Sequence, residues 1–456
     1  MSYCPECLKK DMLIFDLKAR IKALQSKIER QERSGLEAPF GSSTPSAKLP
    51  IKPNTPSEER RRRGGGKPGH VGHGRRDCPE AEADRVETIP VGDHCPHCGT
   101  ALEAKGVRSR TVIDCQPLTL EKIALRLEEK RCPRCHKKVR AKLANVLPRC
   151  LFGNQILTHV AVEHYVRGIP LGQLERQLGV GYSSLIAALH FLAGRFASVP
   201  ERLVEVFRQA PVKHADETGW RNDGHNGYAW LFATPTLSLF RFRDTRSAAV
   251  AREMFGDRKL PGVLVVDRYN AYNRMPCGLQ YCYAHLLRNV QDLEKEFPEN
   301  AEISAFVSAL APLLAGAMHL RTLRLTRSQF RQQARQIQKA IRAVIHAPAH
   351  HPAIQSIQNL FREKWRRLFH WTRNPAIPAD NNFVERELRP LVIARKISFG
   401  SQSDAGAKTR EILMSVLLTL KKRSPDVATA FKAALDQLAA QPDADPYQIL
   451  FPSNSS

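Results

Sequence analysis

Acidic residues are scarce in this chain relative to basic ones: 45 Asp and Glu stand against 70 Lys and Arg over 456 residues, a formal net charge of +25. So large an excess repels itself unless a partner neutralises it, which points to a polyanion, nucleic acid above all. Met1 to Cys7 has no basic start followed by an apolar core, so a cytoplasmic, nucleoid-associated protein is expected. A convincing membrane span is also lacking. Ile303 to Leu320 runs without a formal charge, but Pro312, its serines and His319 dilute it, and Arg321, Arg324 and Arg327 follow at once. A disulfide framework is missing too, because the 11 cysteines are odd in number and locally clustered, which fits reduced thiols and metal binding.

The length calls for several folded units. In residues 1–33, Ile14, Leu17, Ile21, Leu24 and Ile28 alternate spacings of three and four, a short coiled-coil seam that predicts a homodimer or higher oligomer. One amphipathic helix packed on its own chain fits the same pattern. Residues 34–80 are a basic flexible linker containing Arg60 to Arg63 and Gly64 to Gly66, which either tracks phosphates or is simply solvated. In 81–150, Cys95-Pro96-His97-Cys98 and Cys132-Pro133-Arg134-Cys135 supply four thiolates for one tetrahedral structural Zn²⁺, a zinc ribbon with a long intervening loop. Cys4 and Cys7 stay unassigned. In 151–205, a helix over Leu171 to Leu178, the turn Gly179 to Tyr182 and a helix from Ser183, which Ser183 can cap, read as a helix-turn-helix. Two bundle helices without groove contact are the other reading.

Residues 206–400 change to short strands: Val212 to Asp216, Tyr228 to Ala233, Leu237 to Phe242, Val263 to Asp267 and Leu279 to Tyr283, with a helical stretch before the fourth. This order is that of an α/β ribonuclease-H-like core, interrupted by a helical insertion at about 290–375 and followed by a helical tail over 401–456. Asp216 and Asp267 sit where two apolar strands end, and Glu385 lies one turn into a helix opened by Asp380-Asn381-Asn382. Three such carboxylates can hold two Mg²⁺ (or Mn²⁺) ions, one activating an attacking oxygen and one stabilising a leaving oxygen, the chemistry that cuts and joins phosphodiesters. Asn381, Asn382, Arg386 and Arg389 share the glutamate's segment and can orient it or clamp phosphate. His285 begins the helix after a core strand and can approach the acids, but a hydrogen-bonded structural histidine outside the triad is the preferred reading. Phe361, Trp365 and Phe369 recur among arginines, as a buried aromatic stripe before a base-stacking one.

At these residues the chain resembles the insertion sequence sixty-six family of DDE transposases. The matching pieces are Asp216-Glu217-Thr218-Gly219-Trp220, Asp267-Arg268-Tyr269-Asn270-Ala271-Tyr272 and Asn381 to Pro390, supported by Lys67 to Gly74, the cysteine knuckles, Cys282-Tyr283-Ala284-His285, and Arg395-Lys396 before Phe399-Gly400-Ser401. The resemblance covers nearly the whole chain. It implies that Asp216, Asp267 and Glu385 are the metal-binding triad and that the N-terminal half recognises transposon ends. It also implies double-stranded DNA at those ends and at the target, and small accessory proteins as partners. Arg386, Arg389, Arg395 and Lys396 are the expected DNA contacts beside the site. Arg268 departs from the family's pattern, which more often has glycine there, and adds a cation beside the second acid. Two rivals remain: a ribonuclease-H-fold nuclease or resolvase that cuts without joining, and a non-catalytic DNA-binding protein.

Overall fold

The computed structural model describes residues 145–452 continuously, and before them only residues 129–131, 138–140 and single positions. The chain divides into two units, 1–39 with 123–456, and 40–122; the architecture below belongs to the first. Cys95, Cys98, Cys132 and Cys135, with Cys4, Cys7 and the linker, lie outside the described residues. The second cysteine knuckle falls in sequence between two short antiparallel strands, β1 (Glu129–Arg131) and β2 (Lys138–Arg140). Of the expected heptad seam, Ile14, Leu17 and Ile21 are helical and exposed, and Leu24 and Ile28 lie outside the described residues.

Four helices follow: α1 (Asn154–Tyr165), α2 (Leu171–Leu178), α3 (Tyr182–Arg195) and α4 (Val199–Gln209). The turn after α2 is the expected one, with Gly179 closing the helix in the left-handed region at φ 64°, a conformation that costs glycine nothing. The cap differs: α3 starts one residue early, and the Glu175 carboxylate, not Ser183, accepts from the Tyr182 N–H at 2.9 Å. Leu185, Leu189 and Leu192 bury one face of α3, while Tyr182, Ser183, Ser184 and Ala187 stay exposed.

The central sheet has β3 (Val212–Asn222), β4 (His225–Thr234), β5 (Leu237–Arg243), β6 (Val263–Val266), β7 (Gly278–Tyr281) and β8 (Gly400–Ser401). Its order is β5-β4-β3-β6-β7, with β5-β4-β3 antiparallel and β3-β6-β7 parallel. Helix α5 (Ala248–Phe255) connects β5 to β6. One expectation needs correcting: β3 does not end at Asp216 but runs to Asn222, because β4 pairs with it throughout and β8 joins its other edge at Arg221 and Asn222. The polar run Glu217 to Gly219 hides that continuation in the sequence.

After β7 come α6 (Tyr283–Glu296) and the insertion helices α7 (Ala301–His319), α8 (Arg327–His346) and α9 (Pro352–Leu368). Asn300 caps α7, and Thr326 with Gln329 forms a capping box on α8. Residues Ala301–Thr322 are long and apolar enough to cross a membrane. Within them Ile303, Phe306, Val307, Leu310, Leu314 and Ala317 form the buried stripe of a helix packed on α6 and α8.

The last helices are α10 (Asn382–Ser398), α11 (Asp404–Arg423), α12 (Val427–Ala440) and α13 (Pro446–Leu450). Helix α11, assigned by sequence to a tail, is integral to the sheet. Its Thr419 Oγ1, Ser415 Oγ and Glu411 Oε2 accept from the backbone N–H groups of Ser238, Phe240 and Phe242 at 3.0, 2.9 and 3.1 Å. Four helical residues rise roughly 6 Å and two strand residues roughly 6.8 Å, so the two ladders match and α11 satisfies the open edge of β5.

Candidate active site

The site is built where β6 ends beside a continuing β3. The parallel register places His214 opposite Val265, so two residues on Asp216 stands beside Asp267, the first residue after β6. Side chains two apart on a strand share a face, and Asp216 shares the face of His214, against which the start of α10 packs. Three hydrogen bonds fasten that start. His214 Nδ1 donates to Asn381 Oδ1 at 3.0 Å, Asn381 Nδ2 donates to Ala215 O at 3.0 Å, and the Asn381 N–H donates to Cys282 Sγ at 3.1 Å. Buried Asn381 thus ties β3, the end of β7 and α10 together, one turn before Glu385.

The electrostatics follow from that packing. Burial, Glu217, Asp267 and Glu385 all push the Asp216 carboxyl up, to about 8, against one backbone hydrogen bond from Glu217 that favours the charged form. Neither Asp216 nor Asp267 makes an ion pair among the described residues. Asp267 Oδ1 accepts only from the Tyr269 N–H, at 2.9 Å. Glu385 Oε1 is buried with no hydrogen-bond partner, and His285 Nδ1, equally orphaned, lies 4.0 Å away. His285 therefore is not the hydrogen-bonded structural histidine expected from sequence; its imidazole faces the glutamate. The residues present fit divalent metal, because oxygen donors from three segments gather and none of them makes an ion pair with a Lys or Arg among the described residues.

Glu217, which the sequence reading treated only as motif context, points to the opposite face. It accepts from Tyr272 Oη at 2.5 Å and from Arg246 at 2.5 and 2.8 Å, and burial still raises its carboxyl. Arg246 also lies 4.0 Å above the Tyr269 ring. Arg268 turns its guanidinium to Asn289 on α6, and burial lowers its pKa although Asp267 raises it. Cys282, His285 and Glu385 place one donor atom each within 4.8 Å of one another. Burial lifts the Cys282 thiol to about 11, and its sulfur accepts from the Asn381 N–H.

The four basic residues expected at DNA divide. Arg386, Arg389 and Lys396 are exposed on α10. Arg395 is committed inward, donating to Thr218 Oγ1 at 3.0 Å and Gly219 O at 2.6 Å, where it fills the gap between β6 and β8 along β3.

A mixed sheet of this order with helices around it is compatible with a ribonuclease-H-like core. The family model described as "Transposase IS66 family" matches residues 149–409, and the chain belongs to that family. Two similar proteins of Sinorhizobium fredii are both described as uncharacterized. One, y4qI, is 24% identical over 350 residues, covering 68% of this chain and 64% of its own length. The other, y4jD, is 26% identical over 376 residues, covering 73% and 72%. The chain thus spans just under two thirds of y4qI.

Proposed function

We propose that this protein cuts DNA at transposon ends and joins the freed 3′ ends to target DNA, with Asp216, Asp267 and Glu385 as its metal-binding acids. The observation that carries the reading is the convergence of these carboxylates from β3, β6 and α10 with no Lys or Arg ion pair among the described residues, which together with burial pushes the Asp216 carboxyl up. Two Mg²⁺ or Mn²⁺ ions, when bound, would activate the attacking oxygen and stabilise the leaving one. The chain's own contribution is positioning: Asn381 sets the pitch of Glu385, Tyr269 orients Asp267, and Arg395 locks α10 to β3. Arg386, Arg389 and Lys396 hold phosphates beside the acids. We assign the zinc ribbon and the helix-turn-helix to recognition of the ends, and the N-terminal helix to dimerisation.

A plasmid transposition assay tests this, with a marker between the gene's native flanking ends and any neighbouring accessory genes supplied. Wild type gives precise insertion junctions and Asp267→Ala gives none. Cleaved ends without junctions would favour a nuclease or resolvase. End binding without cleavage in both proteins would favour a non-catalytic DNA-binding protein.

A further inference from the structure

The insertion holds a cavity that the acids do not line. It encloses about 730 Å³ between α8, α9 and the turn after α9. Four arginines line it: Arg331 and Arg335 on α8, Arg366 at the end of α9, and Arg373 beyond. No carboxylate lines it, and none of the four guanidiniums makes an ion pair or hydrogen bond among the described residues. Arg241, Arg243 and Arg246, by contrast, meet glutamates. The aromatic stripe expected to be wholly buried is split. Phe361 and Phe369 are buried, but Trp365 is half-buried and opens into the cavity. Phe369 supports Trp365 at a ring distance of 4.0 Å and Arg342 lies 5.9 Å from it. The helix is kinked at Lys364, one residue before, where φ −104° and ψ 18° leave the helical region.

We infer that this cavity is a DNA site taking one unstacked nucleotide, its base against Trp365 and its flanking phosphates against the arginines. Its volume falls within the roughly 300–1,000 Å³ of small-ligand pockets, room for a nucleotide and not for a duplex. Uncompensated arginines beside one supported aromatic ring match the charge and the π-face of that ligand together. The chain segment that lines the cavity after α9 is also joined to the central sheet. The Trp371 N–H donates to Gln280 Oε1 on β7 at 3.2 Å, and Gln280 Nε2 donates to Leu368 O at 3.2 Å. A strand bound here is therefore anchored to the edge of the sheet that carries Asp267. This inference rests on the DNA-transposase reading and adds where an unpaired base goes.

The test uses the full-length protein without divalent metal and two labelled probes of one sequence, a single strand and its duplex, read by fluorescence anisotropy across a salt series. Replacing Arg331, Arg335 and Arg366 together with Ala is expected to weaken single-strand binding on the order of tenfold or more and to flatten its salt slope by about two. Trp365→Leu is expected to weaken single-strand binding roughly tenfold and leave duplex binding unchanged, whereas Trp365→Phe retains it. Wild-type single-strand affinity in both the triple variant and Trp365→Leu would overturn the inference while sparing the transposase reading. Failure of wild type to bind either probe would overturn both.

Discussion

A buried acid at the β5 edge of the sheet and a group of acids where β3 and β6 lie side by side have opposite fates. Glu411, 2% exposed on α11, is surrounded by cations: Arg241 at 3.4 Å, Arg243 at 3.0 Å and Lys408 at 2.7 Å. Burial alone would lift its carboxyl, but Arg241, Lys408 and Arg243 outweigh that and hold it below the usual range. Asp216 sits among further acids instead, and burial with their repulsion lifts it to about 8. A chain that can neutralise a buried acid so thoroughly at β5 leaves three unneutralised around the end of β6. The first secures the fold; the second is the one we propose as the metal site.

The contrast is sharpest under substitution. Asp267→Ala should lower DNA cleavage by at least about a thousandfold in a gel assay while end binding and melting temperature hold, because only the metal site is lost. Glu411→Ala should do the reverse, costing about 3–5 kcal/mol in urea denaturation by removing the buried carboxylate that Arg241, Arg243 and Lys408 share, with metal affinity preserved in the folded fraction. If the two variants exchanged phenotypes, the distinction between the clusters would collapse.

Asn381→Ala tests the link between scaffold and site. It removes the bonds to His214 and Ala215, and cleavage should fall roughly 10–100-fold with weaker metal binding. Unchanged metal affinity would show that Glu385 is placed by helix packing alone.

Asp216→Asn gives a smaller, pH-dependent effect. The folded pKa of about 8 lies above the ordinary 3.8, so the folded chain takes up a proton between those values and Asp216 costs more stability as pH rises through that window. Without metal, the variant should match wild type near pH 4 and melt higher than wild type at pH 8. Added Mg²⁺ should raise the wild-type melting temperature at pH 8 and leave the variant's unchanged. A variant less stable than wild type at pH 8 without metal would contradict the burial and repulsion assigned to Asp216.

Much of this was legible in the sequence. The succession of strands and the places of Asp216 and Asp267 against apolar runs were read from the sequence, whereas the parallel pairing of β3 with β6 came from the fold. What was not legible depends on partners distant in the chain. The end of β3 was misplaced because Glu217 to Gly219 look like a turn until β4 and β8 are seen to pair across them. Helix α11 looked like a tail because Glu411, Ser415 and Thr419 form a polar stripe that seems solvent-facing, yet that stripe meets the edge of β5. Arg395 resembled a phosphate contact because nothing local reveals the Gly219 carbonyl that takes its guanidinium. His285 carried a signal, three residues after Cys282 at the start of a helix, but its orientation toward Glu385 exists only in the fold.

The central claim is that the unneutralised acids form the metal site and the neutralised one does not. The direct measurement is a Mn²⁺ titration of metal-stripped protein at pH 8, followed by electron paramagnetic resonance, on wild type, Asp216→Asn and Glu411→Gln. Saturable binding in wild type and Glu411→Gln, weakened at least about tenfold in Asp216→Asn, is the predicted result. Equal binding in wild type and Asp216→Asn would contradict it.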